Sequence, residues 1–314
     1  MKPLAVVGDV LLDIDVEGTV ERMCPDAPAP VLAVSGERIR PGGAGLAAVL
    51  LAGRGIPVRL VTALGADPDA QRLRALLRGS VDLVTGPAVG DTVVKCRLRT
   101  EGRSLLRVDR GTARAAPGFG VAVAAELDAA LTGVGAVLVS DYGRAVTADP
   151  VVRAAVARAV ARRVAVVWDP HPRGAEPVRG VTVVTPNLAE ARAAAGEVPD
   201  ALAAAAVLVE RWHAGSVAVT LGAGGAVVWR RDGSCSAVPT QPVTAGDTCG
   251  AGDLFAGAVA EALAHGAHVD DAVAAAVTAA TEFCAHGGAG GVHRDGARWV
   301  SAFAARVAHP AHAP

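Results

Sequence analysis

Gly250, Ala251, Gly252 and Asp253 stand together where an irregular, glycine-containing stretch gives way to an alanine-rich one of helical period. Small residues in a row let backbone N–H groups close on an anion, and a helix starting there adds the favourable end of its dipole. Asp253 then falls in the first helical turn, beside that anion hole. A carboxylate so placed can take a proton from a hydroxyl while the N–H groups hold the group under attack. Taken alone, the four residues read more simply as a helix cap, since Gly and Asp are common there.

No second constellation of reactive side chains competes with it. Cys24, Cys96, Cys235, Cys249 and Cys284 form no Cys-x-x-Cys pair, which argues against zinc or a disulfide framework and for reduced thiols. His265, His268, His286 and His293 lack metal-ligand spacing, so packing or surface positions are expected. Cys249 lies inside the glycine loop, where a small packed side chain is a simpler reading than an oxidation-sensitive thiol. With 30 Lys and Arg against 31 Asp and Glu, no net charge draws nucleic acid or an anionic membrane, and an anionic ligand needs a local cluster. The apolar start at Leu4–Gly8 is too short for a signal peptide, and no apolar run approaches the ~20 residues of a membrane span. The expectation is a cytoplasmic protein.

The elements that position these groups are legible as an alternation. Leu4–Val7, Val58–Thr62, Ala136–Val139, Val164–Trp168, Val181–Val184 and Val217–Thr220 read as buried strands. Ala44–Arg54, Asp69–Arg78, Gly120–Leu131, Asp149–Arg162 and Leu202–His213 read as the helices between them. The pattern predicts an α/β fold, a mainly parallel central sheet flanked by helices. Hairpin strands at Ala226–Trp229 and Ser234–Val238 and closing helices near Ala251–His265 and Asp270–Cys284 follow. Val16–Val34 and Thr92–Asp109 break the alternation with period-2 patterning and predict antiparallel strands of a small β-sheet lid. We expect a single domain over 1–314 with a lid built from 14–36 and 90–110, and a frayed tail from Val307 to Pro314.

The longer string Asp247-Thr248-Cys249-Gly250-Ala251-Gly252-Asp253 resembles the C-terminal signature of the ribokinase-like (PfkB) carbohydrate kinases. The resemblance extends over essentially the whole chain and implies that Asp253 is the catalytic base and Gly250–Gly252 the anion hole. Pro41-Gly42-Gly43-Ala44 resembles the family's sugar-site glycine pair. Asn187-Leu-Ala-Glu190 matches the motif that places magnesium and phosphate, which implies that Asn187 and Glu190 hold the ion through water because magnesium dehydrates reluctantly. Thr220, Gly222 and Gly225 resemble the segment that lines ATP, and Asp247 and Thr248 the loop whose carbonyls hold potassium in many relatives. One position departs from the pattern: Leu46 stands where the family usually has a sugar-binding Asn.

Within the family, the similarity is greatest to the branch that phosphorylates the anomeric (C1) hydroxyl of D-glycero-D-manno-heptose 7-phosphate. Val7-Gly-Asp9-Val-Leu-Leu-Asp13, the proline-rich Arg22–Val31 segment, Val139-Ser-Asp141-Tyr142-Gly143 and Asp169-Pro170 carry it. The nucleotidyltransferase half joined to that kinase in bifunctional enzymes has no counterpart here, which implies a stand-alone kinase. Such a substrate needs cations opposite ATP. Lys95, Arg97 and Arg107 lie on the predicted lid strands, with Lys95 and Arg97 on one face at period 2. Lys95 and Arg107 are the preferred phosphate ligands, Asp13 and Asp141 belong with the sugar, and Arg97 is as well read as a solubilising lid charge. Asp9 reads as a turn cap and His171 as a loop residue. Other readings are a kinase of another sugar, sugar phosphate or nucleoside, which Leu46 favours, and a non-catalytic sugar- or nucleotide-binding regulator. A dinucleotide-binding dehydrogenase is disfavoured because no Gly-x-Gly-x-x-Gly follows the first strand. The exposed lid edge suggests a homodimer through the lid.

Overall fold

The structure, a computed structural model, describes residues 2–241, 243, 247–296 and 298–301 of the 314. The expected frayed tail and the Thr244–Gly246 start of the signature lie outside them. The chain runs β1 (Leu4–Gly8), β2 (Val10–Met23), β3 (Pro30–Gly43), α1 (Ala44–Gly53), β4 (Val58–Ala63), α2 (Pro68–Leu77) and β5 (Asp82–Gly86). Then come β6 (Ala88–Val89), β7 (Val94–Thr100), β8 (Arg103–Arg110), β9 (Arg114–Ala115), α3 (Phe119–Ala122), α4 (Ala124–Ala130), β10 (Ala136–Ser140), α5 (Pro150–Ala161) and β11 (Ala165–Asp169). The remainder is β12 (Val183–Val184), α6 (Leu188–Ala195), α7 (Ala201–Arg211), β13 (Ser216–Thr220), β14 (Ala226–Arg230), β15 (Cys235–Val238), α8 (Ala251–Ala264), α9 (Val269–Ala285), β16 (Val292–Asp295) and β17 (Arg298–Ser301).

Nine strands form the central sheet in the order β15-β14-β13-β12-β11-β10-β1-β4-β5. Pairing is parallel from β5 to β13, and the β13–β14 and β14–β15 pairs are antiparallel, so β14 alone of the nine strands is reversed. The valine-rich strands bury both faces, one against α1, α8 and α9 and the other against α4, α5 and α7, as parallel strands require. Local chemistry starts the helices: Asp67 and Asp149 each accept two N–H bonds ahead of a proline, and Asp200 accepts one. The strand order reverses at β1, whose neighbours are β4 and β10. That reversal opens a crevice beyond the carboxyl ends of the strands, where Asp9, Asp141 and Asp169 lie.

The second sheet, β3-β2-β7-β8, is built from the segments expected to form a lid, with two corrections. Its strands reach back to Val10 and on to Gly43, so β2 leaves β1 after one residue and β3 runs straight into α1. The β2–β7 pair is parallel, not antiparallel, because period-2 patterning specifies a face and not a direction. The helix expected over Gly120–Leu131 is broken at Val123, which has φ −118° and ψ 17°.

Candidate active site

Asp253 sits in the first turn of α8 and is 6% exposed. Gly250 starts that helix with φ 80°, a left-handed conformation that costs glycine little. A Cβ on Gly250 would also lie 2.7 Å from Leu46 Cδ2. Leu46 therefore packs beneath the loop, buried in the core. A Cβ on Gly252 would meet nothing within 4 Å, since this glycine faces an open cleft.

The Tyr142 hydroxyl donates to Asp253 Oδ1 at 2.8 Å. Burial pushes the Asp253 carboxyl up to about 7, against the Tyr142 hydrogen bond and helped by the charge of Asp13. Burial, then the charges of Asp253 and Asp169, push the Tyr142 phenol well above its ordinary value, so it remains a donor. Asp9 fixes this tyrosine by accepting from the backbone N–H of Tyr142 and Arg144 at 2.9 Å and of Val146 at 3.2 Å. Burial outweighs those bonds and lifts the Asp9 carboxyl to about 6. Asp9 is thus a turn-holder, as its position at the strand end suggested.

On one side of Asp253 lies a largely apolar cleft of about 400 Å³. Thr220, Gly222 and Gly225 from the end of β13 line it opposite Thr248, Ala251 and Gly252. Two motifs far apart in sequence thus share one wall-to-wall space of ligand-pocket size. On the other side stands one face of the lid. Register places Asp13 beside Lys95, Asp15 beside Arg97 and Arg97 beside Arg107. The Lys95 ammonium lies 5.0 Å from the centre of the Tyr142 ring. Burial lowers its pKa, opposed by the attraction of Asp13 and Asp253. Arg97 donates to Asp13 at 2.9 Å, and Arg40 pairs with Asp15 in the interior. The glycine pair makes room for this packing. A Cβ on Gly42 would fall 2.5 Å from Asp13 Oδ2, and one on Gly43, at φ 60°, 2.6 Å from the Asp9 carbonyl.

Several expected site residues lie elsewhere or are otherwise engaged. Arg107 is 54% exposed and pairs with Asp109 at 2.8 Å on its own strand, whereas Arg97 is the cation turned to Asp13. Asp141 accepts from Gly143 N, Thr147 Oγ1 and Ala175 N at 2.7, 2.6 and 3.0 Å; its carboxylate ties its own loop to the one after β11 and is not a free acceptor. Asn187 and Glu190 form a reciprocal capping box on α6, at 3.0 and 2.9 Å. Asn187 also bridges to Thr220, so this helix start abuts the cleft wall. Asp247 turns its carboxylate to Arg99 at 2.6 Å and to Cys249 N at 2.9 Å. The His171 ring stacks on Tyr142 at 6.1 Å and its Nδ1 accepts from Arg173 N.

Two groups quoted in the sequence motifs were given no role there. Tyr142, the chain's one tyrosine, and Asp169 both lie just past or at the ends of central strands next to the order reversal. That position was the available signal. Asp169 accepts from Thr185 at 3.0 Å. Burial raises its pKa well above the usual range, and the charges of Asp253 and Glu190 add to it. Among the described residues no group of three or more His, Cys, Asp or Glu is arranged to hold a metal ion, and no helix is long and apolar enough to cross a membrane.

The chain is 44% identical over 300 residues to the bifunctional protein HldE of Streptomyces coelicolor, covering 92% of this chain and 62% of that protein. It therefore spans less than two thirds of that relative's length. Phosphofructokinase-2 from Escherichia coli superposes with a TM-score of 0.72 at 22% identity, over 91% of this chain and 96% of the other. Ribokinase of Arabidopsis thaliana, solved with ribose and ATP, gives 0.68 at 21% identity, over 90% and 92%. These likenesses establish the ribokinase fold. The family model described as pfkB family carbohydrate kinase matches residues 1–294, and with the signature loop, the buried carboxylate and the shared fold, the chain belongs to that family of carbohydrate kinases.

Proposed function

We propose that the protein transfers the γ-phosphoryl group of ATP to a sugar-phosphate hydroxyl, the anomeric hydroxyl of D-glycero-D-manno-heptose 7-phosphate. The observation that carries this reading is Asp253, buried between an apolar cleft of nucleotide size and a charged lid face. The heptose assignment draws on the proline-rich lid segment and on the 44% identity to a bifunctional protein HldE.

In this reading ATP lies in the cleft against Thr220–Gly225, its phosphates on the N–H groups at the start of α8. The acceptor hydroxyl lies between Asp253 and the γ-phosphorus. Asp253 Oδ takes its proton as the oxygen attacks, and its pKa of about 7 suits a base at neutral pH. Tyr142 holds the carboxylate in place. The free backbone N–H groups at the start of α8 offset charge growing on the transferred group. The charge of Glu190 adds to the raised proton affinity of Asp169, so this edge would suit Mg²⁺ carried on ATP, which Glu190 and Asp169 would hold through water. Magnesium would neutralise phosphate charge there. The lid face excludes water and presents Lys95 to the sugar's own phosphate. Asp13, already gripped by Arg97, accepts sugar hydroxyls. The apolar outer face of the lid is proposed to join two copies as a homodimer.

The test is steady-state kinetics with the heptose 7-phosphate and with the same heptose lacking phosphate, the product position read by NMR. Lys95→Ala should raise KM for the phosphorylated sugar by roughly 10- to 100-fold, the scale of one charge-assisted hydrogen bond, and leave KM for ATP unchanged. Arg107→Ala should do less, because that side chain is exposed and already paired. Equal effects of Lys95→Ala on both sugars would sink the sugar-phosphate assignment while leaving the kinase standing.

A further inference from the structure

The potassium expected at Asp247 and Thr248 meets a charge that the chain supplies itself. Arg99 leaves the lid strand β7 and places Nη1 2.6 Å from Asp247 Oδ2. Its Nε lies 3.3 Å from Glu17 and its Nη2 donates to the Gly102 carbonyl at 2.9 Å. The side chain is 7% exposed, so this is an internal contact and not a surface pair. Asp247 Oδ1 accepts the Cys249 N–H, and the carbonyls of Thr248 and Cys249 accept Ala251 N and Ala289 N. Both Asp247 carboxylate oxygens and the Thr248 and Cys249 carbonyls therefore already have partners within the chain.

A guanidinium stays protonated throughout the working pH range. A potassium ion on Asp247 would have to share that carboxylate with a fixed positive charge in direct contact with it. Burial opposes ionisation of Asp247, yet the Arg99 hydrogen bond, the Cys249 N–H and the Arg99 charge outweigh it and hold the carboxyl below its ordinary value. The donor set does not fit the ion.

We infer that Arg99 is the resident cation of the Asp247–Gly250 turn, a positioning residue that holds the turn in the shape from which α8 presents its N–H groups. The enzyme then needs no monovalent cation at this place. Because Arg99 belongs to the lid and Asp247 to the loop that opens α8, the same ion pair also fixes the lid to the anion hole. This rests on the kinase reading for the meaning of the rate, but not for the salt response of the fold.

Two measurements test it, each on the full chain in potassium chloride and in tetramethylammonium chloride at equal ionic strength. One is the phosphorylation rate and the other is the melting temperature without substrates. Wild type should give the same rate and the same melting temperature in both salts. Arg99→Ala should lose roughly 10- to 100-fold in rate in tetramethylammonium, the scale of one charge-assisted hydrogen bond. Potassium or guanidinium ion should restore much of that loss, and potassium should raise the variant's melting temperature. Arg99→Gln, closer in volume, should behave in the same way if the alanine variant fails to fold, and Arg99→Lys should stay insensitive to potassium. A wild type that slows without potassium, or neutral variants that behave alike in both salts, overturns the assignment. Absence of kinase activity with every sugar leaves the melting comparison to decide on Arg99 alone.

Discussion

Asp253 and Tyr142 make a pair whose behaviour follows from burial. As the proposed base, the carboxylate must be ionised to accept a proton, so activity should be present above its pKa of about 7 and fall about tenfold per pH unit below it. Asp253→Asn should lower kcat by roughly 100-fold or more and remove that slope from the pH–rate profile; near-normal turnover would take Asp253 out of the role of base. The same shift has the opposite sign for stability. Folding raises the pKa from 3.8 to about 7, so the folded state favours the protonated form. The stability from this group is full below about 4 and is lost as pH rises through about 7. Asp253→Asn should therefore melt higher than wild type at pH 8. The sequence made Asp253 visible because its neighbours are small and a helix follows. Tyr142 lies 111 residues away, and no local pattern could tie it to the carboxylate.

At the scale of the element, α6 shows how one motif can serve two masters. Asn187 and Glu190 satisfy each other's backbone N–H groups, which leaves Asn187 a cap and Glu190 a carboxylate with an oxygen to spare. Asn187→Ala should cost about 1 kcal/mol of folding stability in urea denaturation, the usual worth of a polar cap. Glu190→Ala should raise the magnesium concentration for half-maximal rate. An unchanged magnesium titration in the Glu190 variant would reduce the motif to its cap. The helix itself was not legible in the sequence, since of its eight residues only Ala191 is buried and no apolar stripe forms. The same reason hid β5, a short edge strand with Asp, Thr and Gly among its residues. The long valine-rich strands were legible because burial on both faces leaves continuous apolar runs. Strand direction in the lid was not, because a face pattern reads identically both ways.

The whole molecule presents two unlike lid faces. One carries the alternating charges of Asp13, Asp15, Lys95, Arg97 and Arg99 toward the site. The other carries the cross-strand neighbours Leu98 and Leu106, and Cys96 and Val108. Leu106 and Val108 are 56% and 46% exposed, an apolar surface that a second copy would cover. Wild type should sediment as a dimer at micromolar concentration, and Leu106→Glu should shift it to the monomer. A monomeric wild type would remove the lid from any role in assembly. The near-neutral net charge of the chain, −1, gave no hint of this division, because net charge sums over faces that the fold separates.

The hydrogen bond between Tyr142 and Asp253 also gives the protein a spectroscopic label of its own. A chain with one tyrosine, grown with fluorotyrosine, yields a single ¹⁹F resonance. That resonance belongs to a phenol hydrogen-bonded to the carboxylate of the proposed base. The protonation state of the site can thus be followed in the resting enzyme, with no turnover.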